Sequence, residues 1–214
     1  IQYKAKSGGH LILNPVHPLG CGRNEKNYYH FLFDLLLPID SLLKKLPKET
    51  LIKVYYSGTF SELLQDCSKN RIECIKEKDE EENKDAIKLI GMNPKCVRIQ
   101  HRTARNLKNN IFNQYNLKSS DKSNKILLIE RISPNQTSLR NSVRSRSGSN
   151  IRSIVNHREL SKTIQAMIKP PYEFHNLHLE DMSFDEQMEC FDNAAVVIGQ
   201  HGAGLSNIIW MKSK

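Results

Sequence analysis

Five apolar residues, Ala194-Ala195-Val196-Val197-Ile198, run directly into Gly199-Gln200-His201-Gly202-Ala203-Gly204-Leu205. The run reads as a buried strand, and the Gly-Ala-Gly after it is expected to open a helix. A buried strand that turns through small residues into a helix N-terminus makes an anion site. The turn leaves backbone N–H groups without partners, and the helix dipole adds roughly half a positive charge there. Glycine is expected to let a phosphate approach the backbone with no Cβ in the way. The spacing is not the dinucleotide fingerprint, because Gly199, Gly202 and Gly204 do not read G-x-G-x-x-G. An ordinary tight βα turn explains the glycines by themselves; His201 and the arginines upstream argue for a ligand.

The residues before this corner set its context. Lys125–Arg131 reads as a buried strand, Ile151 to about Met167 as a helix, and Tyr172–Leu177 as a strand. Ser183–Asn193 reads as a helix, with Phe184, Met188 and Phe191 on one face. Ser183 and Glu186 there match a capping box. The order β-α-β-α-β-turn-α predicts a parallel sheet with crossover helices. Ligands of such sheets sit beyond the carboxyl ends of the strands. Arg131 and His201 both fall at those ends.

The first half is less regular. Leu11–Leu13 reads as a strand, and Asn27 to about Lys45 as a helix kinked at Pro38. Leu51–Tyr56 and Arg71–Ile75 read as strands, Phe60–Cys67 as a helix, and Glu77–Asp85 as a solvated acidic loop. Cys96–Ile99 is a candidate strand and Arg105–Leu117 a helix. The polar stretch Asn116–Asn124 is expected to separate two domains, 1–120 and 121–214. The chain starts at Ile1 and stops at Lys214 as another element begins, so it is expected to be a fragment.

Charge is unevenly distributed along the 214 residues. Arg98–Arg158 holds 13 Lys and Arg against two carboxylates (Asp121 and Glu130), a net +11 in a chain of net +9. The middle of the chain therefore asks for an anionic partner, and nucleic acid, a nucleotide diphosphate or an acidic glycan would all serve. No aromatic RNA-binding pattern, zinc spacing or recognition helix supports nucleic acid. No window approaches the roughly 18 apolar residues of a membrane span. Of five cysteines, Cys67 and Cys74 are spaced to bridge in an oxidising compartment, and the spacing leaves that pairing open. Asn135-Gln136-Thr137 is a glycosylation sequon.

Two groups of side chains carry candidate chemistry. Asn27, His30 and Asp34 lie on one stripe of the first helix, amid apolar neighbours. They read either as a His/Asp pair that binds an acceptor or takes its proton, or as a helix cap plus a structural pair. Arg131 at a strand end, with Arg152 and Asn156 at i, i+4 in the first turns of a helix, is suited to fork onto a diphosphate. Surface pairing of these arginines with Glu130 or Glu159 is the alternative. Gln187 and Glu186 are read as structural.

Three blocks together resemble glycosyltransferase family 61: N-Y-Y-H-F-L-F-D-L-L-L-P at Asn27–Pro38, L-L-I-E-R at Leu127–Arg131 followed by R-S-I-V-N-H-R-E-L at Arg152–Leu160, and the long block Ser183–Asn207. The resemblance implies a GT-B-like α/β architecture of two Rossmann-type domains with parallel sheets facing a cleft. In it the N-terminal domain serves the acceptor and the C-terminal domain binds the nucleotide sugar. It implies inverting transfer of GlcNAc or a pentose such as xylose from a UDP-sugar to a protein or glycan hydroxyl, in the lumen of the endoplasmic reticulum or Golgi. Donor contacts fall to Arg131, Arg152, Asn156, His201, Gly202, Ala203, Gly204 and Leu205, and the base to Asp34 or His30. No D-x-D occurs, so no metal or other cofactor is expected. The family usually continues into a strand bearing a glutamate, and its loop after Arg131 is shorter than the arginine-rich one here. A catalytically inactive relative that binds nucleotide or glycan is the runner-up, and a basic nucleic-acid-binding protein comes behind it.

Overall fold

The computed structural model describes residues 11–16, 27–56, 58–75, 87–90, 101–131 and 154–212. The acidic loop, the candidate strand at Cys96–Ile99, the sequon and the arginine-rich segment that includes Arg152 lie outside them. The chain divides into two compact units, Ile1–Gln114 and Tyr115–Lys214.

The first unit carries a four-stranded parallel sheet in the order β3-β2-β1-β4. Its strands are β1 (Leu11–Val16), β2 (Ile52–Tyr55), β3 (Ile72–Ile75) and β4 (Ile87–Ile90). The sequence reading missed β4, a four-residue strand just past the acidic loop. The helices are α1 over 28–43, α2 (Ser61–Cys67) and α3 (His101–Gln114). In α1, Phe31, Leu32, Phe33, Leu35, Leu36 and Leu37 are all buried. A helix apolar around its whole girth must be enclosed, and these residues supply much of this unit's core.

Pro38 does not break α1. Its ring would clash with the carbonyl four residues back, and it has no N–H to donate. The turn before it widens instead: Phe31–Leu36 follow i→i+5 bonding, and Leu37 N–H donates to Leu32 C=O. The expected kink is absorbed as an expanded turn.

The second unit carries a three-stranded parallel sheet in the order β6-β5-β7, with β5 (Lys125–Glu130), β6 (Glu173–His178) and β7 (Ala194–Ile198). A register shift beside Lys125 places a bulge at the start of the β5–β7 ladder. The helices are α4 (His157–Met167) and α5 (Phe184–Asp192), and Ser183 with Glu186 forms the expected capping box on α5. Met188 and Phe191 are fully buried, and Phe184 meets Trp210 edge-on. Both units are thus α/β with parallel sheets.

Two expectations change. α4 begins at His157, because Asn156 C=O accepts from both Glu159 and Leu160 N–H. Asn156 therefore stands just before the helix and not inside its first turns, and its expected i, i+4 partner Arg152 lies outside the described residues. Cys67 and Cys74 carry free thiols, with Cys74 Sγ directed at Ser61 C=O, 3.6 Å away.

Candidate functional site

In the second unit, β5 lies between β6 and β7: the chain passes from β5 to β6 on one side, then crosses back to β7 on the other. That reversal opens a crevice beyond the carboxyl ends of β5 and β7, where open α/β sheets bind ligands. Arg131 is the first residue past β5. Gly199–Gly202 is the corner past β7.

The side chain of Arg131 lies directly against this corner. A Cβ placed on Gly202 would fall 2.7 Å from Arg131 Nη1 and 2.9 Å from Cζ. Gly202 has φ 173 and ψ 178, extended backbone open to any residue. What glycine provides at 202 is space: the guanidinium of Arg131 lies where a side chain would stand. The other two glycines follow the same logic. A Cβ on Gly204 would meet Leu179 Cδ1 at 2.8 Å, and one on Gly199 would meet Ile129 and Leu205 at 3.3 Å. At each of these glycines the place of a side chain is taken by the chain's own side chains. What Gly202 brings to the corner is a cation.

Arg131 Nη1 is buried and has no hydrogen-bond partner among the described residues. A buried guanidinium N–H without an acceptor is costly unless something anionic completes it. The carboxylate beside it in sequence does not do so. Glu130 Oε2 accepts from Asn176 Nδ2 at 2.6 Å and lies 3.3 Å from the Nε2 atoms of both His157 and His178. The Glu130 alternative for Arg131 is therefore not what forms.

The helix expected after Gly202 is a tight 3-10 helix, Ala203–Trp210. Leu205 N–H donates to Gly202 C=O at 3.1 Å, which engages one of the expected anion donors within the turn. The first N–H groups of such a helix, those of Ala203 and Gly204, have no partner inside it. His201 is exposed at the tip of the corner. Behind it a polar relay holds the 3-10 helix in place. Trp210 Nε1 donates to Asn207 Oδ1, Asn207 Nδ2 donates to Gln187 Oε1, and Gln187 Nε2 donates to the carbonyls of Leu179 and Met182. Asn207 and Trp210 are fully buried. Gln187, read as structural, is the link from α5 to this helix.

In the first unit, Asn27 caps α1 by accepting from Tyr29 N–H, so the third member of the polar stripe is a cap. His30 Nδ1 and Asp34 Oδ2 are 2.6 Å apart and half-buried. The carboxylate accepts, so Nδ1 carries the proton of this bond and Asp34 fixes the orientation of the ring.

Sequence reasoning weighed Glu130 only as a partner of the arginines and passed over His157, Asn176 and His178. The available signal was polar residues inside Glu173–His178, a strand that packs against a neighbour and must pair what it buries. Among the described residues no three His, Cys, Asp or Glu side chains are arranged to hold a metal ion, and no helix is long and apolar enough to cross a membrane.

Fold and corner together define a parallel α/β protein with an arginine held at the reversal point of its second sheet. The family model Glycosyltransferase 61 matches residues 28–214, and the chain belongs to that family. It is accordingly a glycosyltransferase, an enzyme acting on a sugar donor and an acceptor. Family members are typically enzymes of the secretory pathway. Among curated proteins, none matches the chain significantly.

Proposed function

We propose that this enzyme moves a sugar, GlcNAc or a pentose such as xylose, from a UDP-sugar to a hydroxyl of a protein or glycan, with inversion at the anomeric carbon. Its architecture is GT-B-like, with the donor held by the second unit and the acceptor served by the first, and it works in the lumen of the endoplasmic reticulum or Golgi without a metal ion. The observation that supports donor binding is the guanidinium of Arg131, packed on Gly202 with a buried N–H that lacks an acceptor among the described residues.

In this reading the acceptor oxygen forms a bond to the anomeric carbon while the bond from that carbon to the diphosphate oxygen breaks. The electron pair leaves with UDP, and negative charge grows on the distal phosphate. Arg131, Arg152 and the N–H groups of Gly202, Ala203 and Gly204 stabilise that charge as fixed donors. Leu205 closes the turn that presents them, and Asn156 and His201 contact the donor. The acceptor proton passes to His30 Nε2, with Asp34 orienting the ring through Nδ1, the division of labour seen wherever a carboxylate holds a catalytic imidazole.

Arg131→Ala tests the reading. Losing one preorganised donor to a developing anion costs about 3–4 kcal/mol, so turnover of a UDP-sugar should fall by roughly 10²–10³ with the far-UV spectrum unchanged. The reading is abandoned if this variant turns over normally, or if the wild-type chain fails to bind UDP.

A further inference from the structure

Glu130, Asn176, His178 and His157 meet at the carboxyl edge of β5 and β6. In the parallel register Leu128 is opposite Asn176 and Glu130 is opposite His178. Residues two apart on a strand share a face, so Glu130, Asn176 and His178 stand together on one side of the sheet. His157, the first residue of α4, reaches the same place with its Nε2 2.7 Å from Asn176 Oδ1. Asn176 is the hub. Its amide oxygen faces the imidazole and its amide nitrogen donates to Glu130 Oε2 at 2.6 Å. Both neighbours of His157 Nε2, Asn176 Oδ1 and Glu130 Oε2, are acceptors, so that nitrogen carries the proton.

This arrangement has an odd feature. Asn156 occupies the N-cap position of α4, and asparagine is among the best capping residues, yet its side chain makes no capping bond. The start of α4 is fastened instead by His157, through Asn176, to the end of β5. On the opposite face of the sheet, Ile129 and Arg131 pack on Gly199 and Gly202. The fastened residues Glu130 and His157 are therefore the immediate chain neighbours of Arg131 and Asn156.

We propose that Glu130, Asn176 and His157 form a positioning clasp for the donor site. The clasp fixes the backbone at the end of β5, from which Arg131 departs, and replaces the side-chain cap of α4, which releases the Asn156 side chain for the ligand. These residues act through their neighbours and do not touch the nucleotide. The inference rests on the donor reading given above.

The test is calorimetric titration with UDP at a temperature where each variant is folded by its melting curve. Asn176→Leu keeps the side-chain size and removes both bonds of the hub; it should weaken UDP binding about tenfold, and Asn156→Ala should do the same. The double variant should bind no more weakly than Asn176→Leu alone, because loss of the clasp already removes the Asn156 contact. A clasp with a purely structural role would lower the melting temperature of Asn176→Leu and leave its UDP affinity intact, and that result overturns the proposal, as do losses that multiply in the double variant. If Asn176→Leu does not fold, the comparison moves to His157. His157→Gln retains a donor toward Asn176 and should recover most of the affinity that His157→Ala loses; equal affinities of those two variants overturn the proposal. Absence of UDP binding by the wild-type chain defeats the donor reading and the clasp together. Tight binding by both wild type and Asn176→Leu defeats the clasp alone.

Discussion

One methyl group separates Gly202 from alanine, and that methyl would stand 2.7 Å from Arg131 Nη1. The atoms it meets are the far end of a flexible side chain, so the backbone need not move and the guanidinium must. Gly202→Ala should therefore melt close to wild type while losing about tenfold or more in UDP affinity, measured by titration. Gly204→Ala makes the contrast, because its clash is with Leu179 Cδ1, packed at the end of β6. A glycine in a sequence announces that something comes close, and it does not say what. The glycines at 199, 202 and 204 marked a tight corner, but the side chains of Ile129, Arg131 and Leu179 that press on it come from 25 to 71 positions away in the chain. That is why the corner was legible and its filling was not. The same limit hid the clasp: Glu130 and His157 look like an ordinary strand end and helix start until the sheet register brings Asn176 between them.

At the scale of elements, β5, β7 and α5 of the second unit were readable because each is a dense apolar run or one clear amphipathic face, and β6 was marked by Pro170-Pro171 ahead of it. α5 carried its own start signal in Ser183 and Glu186. β4 was unreadable because four residues, Ile87–Ile90, hold too little pattern. The expanded turn of α1 was unreadable in form, although Pro38 marked its place. What anchors the far end of α1 was not legible either. Arg71, at the edge of β3, donates to the carbonyls of Leu43 and Pro47 at 3.1 and 2.6 Å and reaches Thr50 C=O at 3.4 Å. One guanidinium thus ties the end of α1 and the loop after it to the sheet. Arg71→Ala should destabilise the protein by about 1–3 kcal/mol, seen as a lower denaturant midpoint. Activity of the folded fraction should be retained.

The whole molecule is two parallel-sheet units, and a buried carboxylate anchors the segment that opens the second. Asp192 is 1% exposed and accepts from Ser119 Oγ and Ser120 N–H, with Lys212 Nζ at 3.6 Å. Asp192→Ala should cost about 2–3 kcal/mol and expose the 116–124 segment to limited proteolysis. The polar composition of that segment marked it as a boundary, and the fold adds a deep anchor that composition does not reveal. Thiol chemistry gives a further global readout. Burial pushes Cys67 up to about 12 and Cys74 up to about 11, with Asp66 adding to the shift at Cys67. Both thiols stay protonated where an unfolded cysteine, of pKa about 8.5, ionises. Folded protein should therefore alkylate slowly at these sites at pH 8–9, by mass spectrometry. The raised values favour the folded state fully below the unfolded pKa, and this contribution is lost as pH climbs from about 9 through 11–12.

All seven strands in the described residues pair in parallel, and none is joined to its neighbour by a hairpin. Every ladder must wait for the chain to travel out and back before its first bond can close. β5 meets β7 only after some sixty intervening residues have been made, so the arginine and its glycine corner are assembled late and from distant parts of the chain. A newborn molecule of this kind spends its early life with bare apolar strand edges, and its yield in the cell depends on helpers that shield them until the last strand arrives.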